Sequence, residues 1–291
     1  APTVLRNEAL CYSEKNIGLG AFCFGSSLEV ATEKAVLANC AAVREWDANG
    51  TNFGFNPQQN ATAGEFGHND FYPVAIAAAQ SKGLNGLQAS LGMLLIDEIR
   101  GRLAEVFSLK DYKIDHVLHG AIASAVTFGA MVGATAQQIE SALGLLVAHY
   151  VPYRAIRSGK QLSDSKGASA AMSAEMAILS VQRAVKGFEG PADIFRNRQA
   201  IFCLSEPPAA SDESPFDLTL TSSGDNFAIV DMHFKLGLYE HQSAGAIQAT
   251  IDLLQKHPQL LTRGLFPEQI EITTYEPAYS IICDPAKKNP Q

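Results

Sequence analysis

The stretch from His116 to Gln138, HVLHGAIASAVTFGAMVGATAQQ, contains no Asp, Glu, Lys or Arg. A run without charge must leave water, either for a bilayer or for a protein interior. It is long enough to span a bilayer, but it is rich in Ala, Gly, Ser and Thr rather than Leu and Ile, which makes membrane insertion weak. Small residues let helix backbones approach closely, so the run predicts a helix buried among other helices. The expected fold is therefore mainly α.

Other helical signals cluster in the first two thirds of the chain. Ser26 with Glu29 resembles a capping box opening LEVATEKAVLANCAAVREWD, with Val30, Val36, Leu37, Val43 and Trp46 on its buried side. Asn49-Gly50 is a stop and turn signal, and a polar Gly/Asn-rich loop runs on to Asn69. Pro73 suits the first turn of the next helix, Gly83 its end, and Asn85 the cap of GLQASLGMLLIDEIRGRLAEVF. In that helix Leu87, Leu91, Leu94, Leu95 and Ile99 recur at helical spacing. Thr135 and Gln138 form a second capping box. A further helix is predicted from about Ser169 to Lys186, ended by Gly187 and Gly190-Pro191.

After Cys203 the character changes. EPPAASDESPFD is rich in Pro, Ser and acids and reads as a linker or surface loop. HFKLGLY and QIEITTY read as short strands. Between them QSAGAIQATIDLLQKH is amphipathic and stopped by Pro258, giving a candidate βαβ unit. The expected organisation is an all-helical domain over residues 1–213, followed by the start of an α+β lid domain over 214–291.

The 291 residues carry 30 acids and 22 bases, a formal charge of −8, with no Lys/Arg run. A nucleic-acid groove or an anionic-membrane surface is therefore not expected. An anionic ligand would be held by a few local cations against the overall field. Cys11, Cys23, Cys40, Cys203 and Cys283 are scattered, with no CxxC spacing, which favours buried free thiols over a zinc or iron–sulfur site. GxGxxG after a strand, Walker, HExxH and GxSxG patterns are absent. No metal and no cofactor is expected.

Three segments could carry chemistry. In REWDANGTNFGFNP…AGEFGHNDFYPV, Asp47, Thr51 and His68 flank one Gly-rich loop and could line a pocket; equally, Asp47 is a solvated helix-end acid and His68 a loop residue. In YRAIRSGKQLSDSKGASAAM, Lys166 lies just before a predicted helix start, where it could hold a carboxylate with Arg154 and Arg157, or the segment is a solvated basic loop. In KLGLYEHQSAGA, His241 sits at a strand-to-helix turn, where α/β units place ligands; the alternative is a polar surface His. His116 and His119 flank the apolar helix and are expected to satisfy local hydrogen bonds.

Taken in order, VREWDANGT, GEFGHNDFYPVAIAAA, DHVLHGAIASAVTFGAMVGAT, DSKGASAAMSAEMAILS and HFKLGLYEHQSAGAIQATIDLL resemble the MmgE/PrpD family, whose members include 2-methylcitrate dehydratases and cis-aconitate decarboxylases. The resemblance covers nearly the whole chain. It implies a large helical domain with an α+β lid, an active site in the cleft between them, a homodimer and no iron–sulfur cluster. Carried over by motif, Asp47 and Thr51 match the first active-site segment, His68 the following His, Lys166 the Lys before the small-residue helix, and His241 the His at the start of the lid. The loop between Thr51 and His68 is longer than the family pattern, and its KxWA segment is KGAS here. Family members continue past CDPAKKNPQ into an ADHS motif, so the expectation is a chain with an incomplete lid.

The REWDANGTNFGFNP style is closer to eukaryotic, fungal-type dehydratases. The function this implies is iron-independent elimination of water from 2-methylcitrate, a tricarboxylate of propionate catabolism. His241 and His68 would be the acid–base pair, Lys166 with Arg154 or Arg157 would hold carboxylates, and Asp47 and Thr51 would orient a hydroxyl or histidine. The compartment would be the mitochondrial matrix in a eukaryote and otherwise the cytoplasm. The alternatives are cis-aconitate decarboxylation at the same site, or a non-catalytic helical scaffold or degenerate member.

Overall fold

The computed structural model describes residues 2–11, 20–48, 50–51, 67–157, 163–210, 212–235, 237–264 and 267–283. Among the described residues the α-helices of five residues or more are α1 (Pro2–Cys11), α2 (Thr32–Trp46), α3 (Tyr72–Lys82), α4 (Gly86–Val106), α5 (Val117–Val132), α6 (Ala136–His149), α7 (Asp164–Val185), α8 (Ile201–Ser205) and α9 (Ala244–Lys256). The fold is mainly α, as expected.

The charge-free run forms α5, buried from Val117 to Ala125 and again at Thr127 to Gly129, and goes on through Gly133 into the exposed first turn of α6. Helix α5 packs on α4, α6 and α7, and α7 in turn packs on α2. The interfaces are built from Ala, including Ala77, Ala121, Ala171 and Ala174. Close approach requires glycine at several positions, Gly120 and Gly144 among them. A Cβ on Gly120 would lie 2.1 Å from the Phe71 ring, and one on Gly144 would lie 1.9 Å from the Pro191 carbonyl oxygen. Small residues thus do in this core what bulky ones do elsewhere: they set the interhelical distance. No helix among the described residues is long and apolar enough to cross a membrane.

Helix ends follow local chemistry where a capping side chain is present. Asn85 and Gln88 form a complete capping box on α4, and Thr135 and Gln138 another on α6. Gly83 ends α3 in the left-handed region, with φ 62°. The Ser26–Glu29 box does not form. Glu29 pairs in a short antiparallel ladder, β1 (Ala21–Phe22) with β2 (Glu29–Val30), and α2 starts later, at Thr32, with no side-chain cap. The helix ends at Trp46, before Asn49-Gly50, and Trp46 is 67% exposed rather than buried. On α4, Leu87 and Leu91 face outward, whereas Asp97, Glu98 and Arg100 are buried. Ile99 of the same set is buried and Leu95 packs on the core, so the spacing marked the inward face only in part.

The C-terminal third departs most from expectation. EPPAASDESPFD is irregular, but its Phe216 joins Phe107, Phe195 and Phe202 in an aromatic cluster on the helical body. Among the described residues of HFKLGLY only β4 (His233–Phe234) pairs, and its partner is β3 (Gly50–Thr51) of the N-terminal half. QIEITTY makes no ladder: residues 269–275 are irregular, with Ile270 75% exposed. The βαβ unit is therefore not formed among the described residues. Helix α9 is present at the expected place, without a buried residue.

Candidate active site

Helix α2 delivers the first acid. Asp47 is its C-terminal cap, held at φ 49°, with its N–H bonded to the Arg44 carbonyl. That conformation turns the carboxylate back onto the helix. Oδ1 accepts from Arg44 Nη1 at 2.7 Å and Oδ2 from Lys235 Nζ at 3.0 Å. The Lys235 side chain is 2% exposed and also donates to the Tyr239 carbonyl at 2.7 Å. Asp47 is thus a bridge between two cations, with its side chain still 38% exposed. Thr51 has its backbone in β3, opposite His233. Its side chain, and the loop 52–66 after it, lie outside the described residues.

His68 opens a single 3-10 turn, His68–Phe71, that feeds α3. Gly67, at φ 72°, makes the reversal before it, and its carbonyl accepts from the fully buried Arg100 Nη1 of α4 at 2.7 Å. The His68 ring accepts at Nδ1 from the Gly50 N–H, 2.7 Å away. Burial first, then the Arg100 guanidinium, lowers its pKa to about 4. Asp70 is buried on the same turn, 3.8 Å from Arg44, and burial raises its carboxyl despite Arg44 and Arg100. Tyr72 donates its hydroxyl to Asp97 Oδ2 at 2.5 Å.

A second group of charges comes from the junctions of α5 and α7. Asp115 is fully buried and takes two bonds from Arg157, one of them at 3.1 Å to Nη2. Arg157 Nη2 also reaches Ser169 Oγ at 3.1 Å. His116 Nδ1 lies 3.5 Å from Asp115 Oδ1, and burial, then Arg157, Arg100 and Arg44, hold it well below the usual histidine range. Arg154 adds to that field, and its N–H is bonded to the Lys113 carbonyl.

Lys166 joins the two groups. It lies inside the first turn of α7 rather than before the helix, because α7 begins at Asp164. Burial lowers its pKa first, then Arg44 and Arg157; Asp47 and Glu240 oppose them. Lys166 therefore feels both the α2 end and the Arg157 turn. His241 begins the 3-10 turn before α9, where the Glu240 side chain caps the Gln242 N–H. It is half-buried, and burial lowers its pKa; Glu240 and Asp47 oppose, while Lys235 and His233 reinforce.

Asp47, Lys166 and His241 thus share one electrostatic neighbourhood, to which the structure adds Arg44 and Lys235, with Arg100 and Asp70 beside it at the His68 turn and Asp115 under Arg157. Sequence reasoning missed these five. Arg44 carried a weak signal, three residues before Asp47 on a helix. Lys235 carried none, since its partner is 188 positions away. His116 was assigned a local hydrogen-bonding role and instead faces the Arg-rich cluster. Among the described residues, no group of His, Cys, Asp and Glu has metal-binding geometry. Cys23, Cys40 and Cys203 are buried free thiols. Comparison with protein-family models gives a match to the MmgE/PrpD N-terminal domain over residues 8–208, well over half of the chain, which takes in Asp47, His68, Arg157 and Lys166 but stops short of Lys235 and His241.

Proposed function

The chain belongs to the MmgE/PrpD family, and from that premise we propose that it is an iron-independent hydro-lyase eliminating water from 2-methylcitrate to give 2-methyl-cis-aconitate. One observation carries the reading. In a chain of net charge −8, Arg44 and Lys235 bond Asp47, and Lys166 lies in the field of Arg44, Arg157 and Asp47. A cationic cluster against an acidic background suits a small polycarboxylate, whose charges it holds at short range.

The chemistry divides among the residues as follows. His241, whose pKa burial lowers, is the base that takes the proton beside a substrate carboxylate. Arg157 and Lys235 hold carboxylates and stabilise the charge that develops as carbon loses that proton. Lys166, whose ammonium gives up its proton more readily than an exposed lysine, protonates the departing hydroxyl so that it leaves as water. Asp47, with Thr51, orients the cations and the hydroxyl. Arg154 is the outlying cation. In this reading the chain divides into a helical body, 1–213, and the start of a lid, 214–291, and works as a homodimer; these rest on the family resemblance.

The test is product analysis on the complete polypeptide. Incubation with 2-methylcitrate should yield an unsaturated tricarboxylate lighter by one water, and chelators should not diminish it. Carbon dioxide and itaconate from cis-aconitate, with 2-methylcitrate untouched, would replace dehydration by decarboxylation. No turnover of either would reject the enzymatic reading.

A further inference from the structure

We propose that His68 works as a fixed, neutral hydrogen-bond donor through Nε2, and neither takes up nor gives up a proton during the reaction. The argument starts from Gly50. Its N–H points at His68 Nδ1 from 2.7 Å, in a buried contact. A peptide N–H can only donate, so Nδ1 must present a lone pair, and the ring proton sits on Nε2.

The surroundings keep that tautomer. A Cβ at position 50 would fall 2.1 Å from Met232 Sδ and 2.9 Å from His68 Nδ1, so the backbone comes this close only because residue 50 is glycine. Tyr72 and Phe234 stand edge-on to the ring, with centroids 5.3 and 5.2 Å away and both planes at 88°. Turning the ring over would put a carbon where Gly50 needs an acceptor. Each packed element contributes a known group. Arg100 from α4 opposes protonation. Asp70 on the same turn faces Arg44 of α2. Tyr72 of α3 gives its hydroxyl to Asp97. β4 brings the apolar Phe234. The lowered pKa of the ring agrees with this geometry.

The chemical consequence is a division of labour between the two candidate histidines. A base needs a free lone pair, and that of His68 is spent on Gly50. An acid would have to leave an imidazolate, far outside the range of an enzyme at neutral pH. What remains is a neutral N–H, suited to a substrate carboxylate or hydroxyl oxygen, or to the negative charge that develops on it. This ligand class rests on the dehydratase reading; the tautomer does not.

The experiment has two arms. In the first, wild-type protein labelled with 15N-histidine is followed by NMR. We expect His68 to give the Nε2–H pattern, unchanged between about pH 5 and 8. An Nδ1–H pattern, or a titration midpoint near 6 or above, would overturn the proposal. In the second arm, His68→Gln, which keeps an N–H donor, is compared with His68→Phe, which has none. The Gln variant should retain turnover to within about tenfold with the pH profile unmoved, and the Phe variant should lose about a further tenfold or more. Equal losses in both, with a limb of the pH profile removed, would identify His68 as a proton-transfer group and refute the fixed donor. A wild type silent on 2-methylcitrate would strike the dehydratase reading, while the NMR arm still decides the tautomer.

Discussion

Replacing Glu98 by Gln should release the segment that leads into the site while leaving the helical core closed. Glu98 is 1% exposed and sits in mid-helix on α4. Its Oε1 accepts from the Thr221 N–H at 2.7 Å and from Arg102 Nε at 2.9 Å, and its Oε2 from the Ala228 N–H at 2.7 Å. Arg102 completes the clamp by donating to Thr221 Oγ1 at 3.2 Å and to the Asn226 carbonyl. This one carboxylate therefore ties residues 221–228 to the helical body, a few residues before Phe234 and Lys235 reach the site. A glutamine keeps the shape but has one carbonyl oxygen for two backbone donors on opposite sides. One charged hydrogen bond, worth roughly 1.5–3 kcal/mol, is lost, and one buried N–H is left facing an amide NH2, at roughly 1–3 kcal/mol more. The sum, about 2.5–6 kcal/mol, corresponds to opening at that segment faster by about two orders of magnitude or more. Native-state hydrogen exchange reads it directly. The Thr221 and Ala228 amides should exchange about two orders of magnitude faster in the variant, while amides of α5 and α7 keep wild-type protection. The same clamp should weaken with acid. Burial pushes the Glu98 carboxyl up, but the two N–H bonds and Arg102 more than offset it, so its folded pKa lies below the usual range. Its contribution is therefore present above the unfolded pKa and lost as pH falls through the folded one. Exchange at Thr221 and Ala228 within threefold of wild type in the variant would show that the carboxylate does not hold this segment.

Three further outcomes are expected. Asp97, buried beside Tyr72, has a pKa raised to about 7, so the folded chain keeps a proton that the unfolded chain gives up near pH 4; stability should fall as pH rises between these values, and Asp97→Asn should melt higher than wild type at pH 8 but equally at pH 4, as thermal scans at both pH values will show. Gly120→Ala drives a methyl group to 2.1 Å from the Phe71 ring, a clash of the kind that costs about 1–3 kcal/mol, and a melting temperature unchanged from wild type would contradict that packing. His241→Ala should lower turnover on 2-methylcitrate by about 10²–10⁴-fold with the melting temperature unchanged; a loss under threefold would remove His241 from proton transfer.

The candidate site was legible in part. Asp47, His68, Lys166 and His241 stand out in the sequence, and the last three take their shifted pKa values first from burial and then from cations, of which only Arg157 beside Lys166 is suggested by the sequence. Arg100 and Asp97 were hidden because charged residues in mid-helix read as a solvated face. Here that face is turned inward, since Arg100 reaches the Gly67 carbonyl and Asp97 reaches Tyr72, partners on other elements. The expected strand at 233–239 shrank to two residues because its partner was Gly50–Thr51 rather than the later QIEITTY.

What the sequence determined by itself is what short-range chemistry decides. Asn85 with Gln88 and Thr135 with Gln138 fix two helix starts through bonds that span three residues, and Gly83 fixes a helix end through its own φ. The apolar part of the uncharged run became the buried α5 because its Val, Leu, Ile, Phe and Ala side chains are better placed out of water. The tertiary structure alone decided which charges meet. Asp47 with Lys235, Glu98 with Ala228 and Gly50 with His68 are joined across long stretches of chain, and no periodicity records such pairs. A buried charge is stable only with a partner, and where that partner lies is settled by how the helices pack, not by which residues stand beside it in the chain.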